Sequence, residues 1–400
     1  MKKLLYILFF FPVIVSAQWT ALPSGTLNHL FSVCFHDTNT GYTVGAGNYA
    51  DVTTIVKTNN GGVTWTVSEI DPGNPLSSVA FTDANTGYTT SFYGGIRKTT
   101  NGGITWTNLS IGTNESLYSV CFPDANTGYA AGGFGTIIKT INAGVNWTPL
   151  YTGTTTPFAS VYFIDANTGY LVGGNKIFKT INGGANWTAQ SSGVTVGLES
   201  VFFIDANKGY VVGYGGTILK TTDGGTTWTS VSSGTTNQLH SVYFPNANTG
   251  YAVGGVYYIT GTILKTVDGG TTWTALSSGT NHMLHSVYFT NANTGYAVGD
   301  SGTILKTTNG GYPVGLTDLS FKSDKLNIYP NPASDQITIG TASYQNNSQI
   351  SILNLTGHEL ITGKVSEHNT VLDISSLPNG VYFVRLTDDK TVEVGKIIKE

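Results

Sequence analysis

A repeat constrains this chain more than any other feature. Glycines 41, 87, 128, 169, 209, 250 and 295 each sit in "NTGY" or a close variant, preceded by an apolar "SVxF" segment. Tryptophans 65, 106, 147, 187, 228 and 273 follow turns such as "TTDGGTTW" and "TTNGGITW". The spacing is 40 or 41 residues, rising to 45 or 46 where an insertion falls. A period of that length marks supersecondary units that must stack to bury their apolar faces. Each unit reads as four short strands, "LHSVYF", "GYAVG", "GTILKT" and "TTWTAL". Between them, Asp or Asn side chains can bond nearby N–H groups while glycine supplies positive φ, which closes antiparallel hairpins. Strands apolar on both faces need cover on both faces, and four-stranded sheets packed radially about an axis provide it. The predicted fold is all-β, a β-propeller. A β-helix would have a much shorter period, and an α-solenoid a 3.6-residue pattern that is not visible.

The blade count follows from two incomplete repeats. The seventh copy's third strand, "GTILKTTNGG" at 302–311, runs into "YPVGL" without reaching a tryptophan. "QWTALPSGT", residues 18–26, is the tail of a repeat without its head. Seven blades over residues 18–312 are expected, with strand 18–26 completing blade 7 and Trp19 in the place of the other six tryptophans. Such a ring has no free edge.

Ahead of this, Lys2 and Lys3, the run "LLYILFFFPVIV" and "VSA" ending at Ala17 read as a cleaved signal peptide, residues 1–17. With 10% charged residues and a formal net charge of -4, the chain lacks the basic patch that a nucleic-acid partner requires. Cys34 and Cys121 fall at one repeat position, in "FSVCF" and "YSVCF", and read as small buried apolar residues rather than a disulfide. No cofactor and no metal are expected, and the propeller is expected to be monomeric.

The turn "T-x-D-x-G-x-T-W", complete at 221–228 and 266–273, resembles the Asp-box of bacterial neuraminidase repeats. Its residues are Asn60 and Trp65, Asn101 and Trp106, Asn142 and Trp147, Asn182 and Trp187, Asp223 and Trp228, Asp268 and Trp273, with Asn replacing Asp in four copies. The whole repeat most resembles secreted propellers related to the photosystem II assembly and stability factor. That resemblance implies architecture more than activity, because Asp-boxes occur in sialidases, other glycosidases, receptors and scaffolds.

Residues 325–400 carry no repeat. Three ordered motifs, "YPNP" (Tyr329, Pro330, Asn331, Pro332), "PNGVYFV" (from Pro378, with Gly380 and Tyr382) and a basic end with Lys396 and Lys399, resemble the C-terminal sorting domain of type IX secretion cargo. The resemblance implies a small β-sandwich following the propeller, after a linker at 313–324. It also implies recognition by the type IX machinery, passage through the periplasm, and a product that is secreted or attached to the outer surface.

Sialidases gather three arginines around a carboxylate, whereas this chain has two arginines, Arg97 and Arg385, one of them in the sorting domain. Other propeller glycosidases need a carboxylate pair. Asp37, Asp83, Asp124, Asp165 and Asp205 recur at one turn position and read as structural. Glu69, Glu115, Glu199 and Asp51 remain candidates for such a pair, with Asp71 and Asp300 as further irregular aspartates. The loop between strands two and three is enlarged in blades 1 and 6, adding Tyr49, Asp51, Tyr257 and Tyr258. Both blades adjoin blade 7, so these loops read either as two lips of one groove or as plain surface insertions. A second variable position precedes "SV": Phe31, Ser77, Tyr118, Ala159, Glu199, His240 and His285. Glu199, His240 and His285 come from consecutive blades and suit either ligand binding or the lining of a wet channel. The expected function is non-enzymatic binding of a protein or glycan through the variable-loop face. The alternative is a glycoside hydrolase of the Asp-box type.

Overall fold

The computed structural model describes residues 19–47, 53–69, 74–311, 326–341, 348–354, 359–365, 369–387 and 392–400. The expected leader, the linker, Tyr49, Asp51 and Asp71 lie outside the described residues. Backbone contacts divide the chain into two compact units, one of which spans Gln18–Tyr312.

That unit is built from seven four-stranded antiparallel sheets. Blade 1 comprises His29–Phe35, Gly41–Ala46, Thr53–Thr58 and Thr66–Glu69, and blades 2 to 6 repeat its order. Blade 7 takes Leu284–Phe289, Gly295–Gly299 and Ile304–Thr307 from the end of the repeat array and Thr20–Leu22 from its start. Thr20 pairs with Lys306 and Leu22 with Ile304.

The fourth strands are shorter than the pattern predicts. In blade 6 the strand is Thr274–Leu276, so Trp273 belongs to the turn before it. The reason lies in the Asp-box, whose side chain occupies the turn's amides. Asp223 Oδ1 accepts hydrogen bonds from Thr227 N at 2.9 Å and from the Thr221 hydroxyl at 2.8 Å, while Oδ2 accepts from the Thr227 hydroxyl at 2.7 Å. The Thr227 amide, then the threonine hydroxyls, hold the Asp223 carboxyl down to about 2. Asparagine serves the same turn with one bond reversed: Asn60 Oδ1 accepts from Thr64 N at 2.9 Å, and Nδ2 donates to the Thr64 hydroxyl at 2.8 Å.

Adjacent blades are held by an identical aromatic stack. The tyrosine of "TGY" lies flat against the "SVxF" phenylalanine of the next blade, as in Tyr42–Phe81 with centroids 3.9 Å apart, and that ring meets its own blade's tryptophan edge-on. Phe289 meets Trp19 in the same way, at 5.8 Å and 90°, and Trp19 is 1% exposed. The stack also explains the repeated glycine: a Cβ on Gly41 would sit 2.4 Å from the Phe35 ring.

Polar groups reinforce each seam. The Tyr42 hydroxyl and Lys57 Nζ both donate to the Gly102 carbonyl of the next Asp-box turn, at 2.9 and 2.7 Å. Tyr296 and Lys306 of blade 7 repeat this on Gly61 of blade 1, at 2.7 and 2.6 Å. Lys220 departs from the pattern by donating to the Thr271 hydroxyl at 3.3 Å. The repeated lysines are therefore framework groups. Serines of "SV" accept from the next blade's valine amide, as in Val79 N to Ser32 Oγ at 3.2 Å and, across the closing seam, Val33 N to Ser286 Oγ at 3.2 Å.

The C-terminal unit packs a three-stranded sheet (Leu326–Tyr329, Gln336–Thr341, Asn369–Asp373) on a four-stranded one (Gln349–Leu353, Glu359–Lys364, Gly380–Thr387, Val392–Lys399). Ile337 and Ile339 of the first meet Ile350, Ile352, Val384 and Ile397 of the second. This is a small β-sandwich. Its three motifs converge on the last strand. Asn331 Nδ2 donates to Lys396 O at 2.8 Å and Asn331 Oδ1 accepts from Ile398 N at 2.9 Å. Gly380 pairs with Lys399 in register, and the Tyr382 hydroxyl donates to Pro378 O at 2.7 Å. Tyr329–Pro330 and Asn331–Pro332 are both cis.

Candidate functional site

First strands of neighbouring blades touch one another around the ring, which places them innermost. In six blades this strand carries a β-bulge just before "SV", and the extra residue is Phe31, Ser77, Tyr118, Glu199, His240 or His285. A bulge leaves one residue unpaired and turns its side chain out of the alternation. In blade 4 the strand begins at Ser160, after Ala159, and has no bulge.

Half of the resulting channel mouth is polar. Glu199 Oε2 lies 4.0 Å from His240 Nδ1, and the His240 and His285 rings are 5.5 Å apart. His285 Nε2 bonds Asp300 Oδ1 at 2.7 Å, and His29 Nδ1 of blade 1 meets the same oxygen at 2.8 Å. Asp300 is 2% exposed, and among the described residues its Oδ2 has no hydrogen-bond partner. Burial pushes its carboxyl up, but hydrogen bonds and charge from His285 and His29 outweigh this and leave it below the ordinary value. His240 is pushed down to about 4, by burial and then by His285, so it is neutral at physiological pH. Its Nε2 is also buried without a partner among the described residues. Glu199 is raised by burial, partly offset by a hydrogen bond with Tyr214.

The other half is aromatic. Phe31 stands 5.2 Å from both Phe92 and His285, and Phe92 is 5.9 Å from Tyr118. Ala159 falls between Tyr118 and Glu199 and contributes only a methyl group.

Around the mouth, the turns between second and third strands display Tyr93, Phe134, Tyr214, Tyr257 and Tyr258, all exposed. Blades 3, 5 and 7 build this turn alike, as Gly133–Gly135, Tyr214–Gly216 and Asp300–Gly302. Tyr214 and Asp300 thus hold one structural position, each bonded to its own blade's bulge residue. The middle residue is left-handed, with φ 49° at Phe134, 64° at Gly215 and 53° at Ser301. Tyr258, at the tip of the extended blade 6 hairpin, has φ 53°. That hairpin reaches across blade 7, so that Tyr257 lies 6.4 Å from His29 of blade 1. The Tyr257 phenol is pushed up to about 12 by its hydrogen bond with Tyr258.

Other candidate residues stand apart. Glu115 is in the loop before blade 3, and Glu69 ends the fourth strand of blade 1. Among the described residues no hydrogen bond or ion pair joins two of the candidate acids. No group of three or more His, Cys, Asp or Glu among them is arranged to hold a metal ion. Two shallow grooves, beside Gly216 with 231–236 and beside Gly94 with 109–114, lie at the periphery of this face. Sequence reasoning missed His29, Phe92 and Tyr214, and treated Asp300 only as an irregular aspartate. The one available signal was that the residue after "GYxVG" varies between blades.

Seven sheets around a channel, with a bulge-built mouth, define a seven-bladed β-propeller followed by a β-sandwich. Residues 146–236, 193–277 and 227–322 match the family model of photosynthesis system II assembly factor YCF48, and residues 327–400 match a secretion system C-terminal sorting domain. The chain is similar in fold to "YCF48 bound to D1 peptide", at 19% identity and TM-score 0.63, covering 74% of this chain and 99% of that one. It is likewise similar to YCF48 from Cyanidioschyzon merolae, at 21% identity and TM-score 0.60, covering 72% and 98%. An ancestral GH74 enzyme aligns at 14% identity and TM-score 0.56, covering 94% of this chain and 63% of that one. The search of curated proteins found no match. The propeller repeats are thus similar to those of YCF48, and the C-terminal domain is similar to a secretion sorting domain, which indicates export by type IX secretion to the cell surface or the extracellular space.

Proposed function

We propose that this is a non-catalytic binding propeller, exported by way of the periplasm, that holds a protein or glycan on its variable-loop face. One observation carries the reading. Phe134, where blade 5 uses Gly215, and Tyr258, at the tip of the blade 6 hairpin, are large side chains in left-handed backbone, and they are 74% and 50% exposed. Left-handed backbone costs a non-glycine residue about 1–2 kcal/mol. An exposed ring gains little from burial in return, so folding alone does not favour it, whereas contact with a ligand does. A propeller of this fold is described as bound to a D1 peptide, which makes extended peptides a class to test beside glycans.

The test is binding of the full exported chain to peptide and glycan arrays, beside the Phe134→Ser and Tyr258→Ser variants. The expected result is a ligand retained by wild type and weakened about tenfold or more in each variant, with melting temperature unchanged or raised. Equal binding by all three proteins would reject this face as the binding surface. Glycan hydrolysis is assayed on the same samples. Turnover abolished by Glu115→Gln or Glu199→Gln would replace the binding reading with a glycoside hydrolase.

A further inference from the structure

We propose that the channel mouth accepts a lysine or arginine side chain from a basic segment of a partner protein, its stem against Phe31, Phe92 and Tyr118 and its charged head on Glu199. The proposal rests on reading this face as a binding surface, and it specifies the chemistry of the group that is bound.

Charge is the first argument. Residues 18–312 contain ten Lys and Arg. Seven are the repeated lysines committed to the Asp-box side of the ring, as Lys57 and Lys306 illustrate. Lys208 sits in the turn after Asp205 on that same side, and Arg97 donates to Asn108 in the outer strands of blade 2. Lys176 is left as the basic residue on the variable-loop side. Among the described residues no lysine or arginine lies within ion-pair distance of Glu199 or Asp300. His240, their neutral neighbour, does not compensate them. Asp300 is held by His285 and His29, which leaves Glu199, partly desolvated and without a lysine or arginine beside it, as the carboxylate that favours a cationic ligand.

Shape is the second. Phe31, Phe92 and Tyr118 present aromatic carbon opposite the carboxylates, and such surfaces attract ammonium and guanidinium groups. A long aliphatic stem ending in a charge matches a mouth that is apolar on one side and anionic on the other. Ala159 leaves the ring low between Tyr118 and Glu199, where a side chain can enter. Glu199 is partly exposed and can touch the head group, whereas buried Asp300 adds only its field. A neutral sugar could stack on the same rings but would leave the Glu199 charge without a partner.

The experiment titrates the full chain with short acetylated, amidated peptides containing one arginine, one lysine, one citrulline or one acetyl-lysine, and with a monosaccharide panel, followed by calorimetry. Arginine and lysine peptides are expected to bind at least about tenfold more tightly than their neutral counterparts, and Glu199→Gln to remove that preference. Array ligands weakened by Phe134→Ser and Tyr258→Ser beside equal binding of arginine and citrulline peptides would leave the wider reading of the face standing and overturn this proposal alone. Equal binding of arginine and citrulline peptides by wild type overturns the proposal without any variant. So does binding of sugars alone, or a charge preference that survives in Glu199→Gln.

Discussion

Asp300 ties two blades through one oxygen, accepting from His285 of its own sheet and His29 of blade 1. Its folded pKa lies below the ordinary carboxylate value. The stabilisation is therefore present above the unfolded pKa and lost as pH falls through the depressed folded one. Asp300→Asn should cost about 1–3 kcal/mol at neutral pH, because the two imidazoles lose an anionic partner in a buried site. That difference from wild type should shrink as the solution is acidified below the carboxylate range. Urea melts across pH check this, and a difference that stays constant on acidification would mean the charge is not what the histidines hold. Legibility at this scale was uneven. Glu199, His240 and His285 stood out because they vary where neighbouring residues repeat. Asp300 and His29 did not, since they lie at opposite ends of the repeat array and only ring closure joins them.

Each blade-to-blade seam is a small machine made of repeated residues. In every seam but the one where Lys220 turns to Thr271, a tyrosine hydroxyl and a lysine ammonium converge on one carbonyl of the next Asp-box turn, beneath a stacked Tyr–Phe pair, as at Gly61. At the closing seam, Tyr296→Phe or Lys306→Met alone leaves the buried Gly61 carbonyl one partner, for about 0.5–1.5 kcal/mol each. Together they leave it none, and the loss should exceed the sum of the single effects. Denaturant melts of the four proteins measure the coupling, and simple additivity would show that the two bonds act independently. The four-strand pattern was readable because alternation and Asx turns are local. The fourth strand was overestimated because the Asp-box side chain takes amides that the ladder would otherwise use. The role of the lysines was open in sequence, since a charge repeated at one position looks the same whether it faces water or a carbonyl.

Across the whole molecule, closure depends on Thr20–Leu22 completing the sheet of Ile304–Thr307, with Trp19 meeting Phe289 as the other six tryptophans meet theirs. Deleting residues 18–26 should expose the edge of Ile304–Thr307, empty the Trp19 site and lower the melting temperature markedly. Aggregation should rise as well, because an unpaired strand edge is a template for pairing. An unchanged melt would show that the first strand is not needed to hold the ring. The sequence by itself determined the all-β repeat, the turns and the half-repeats at each end of the propeller. Those follow from side-chain alternation, φ preferences and hydrogen bonds between residues a few positions apart. Tertiary structure alone decided which groups share the channel mouth. Bulges turn one side chain per first strand out of the alternation, and the closed ring sets blade 7 against blade 1. No local pattern records a contact that exists only once seven sheets have packed around a common axis.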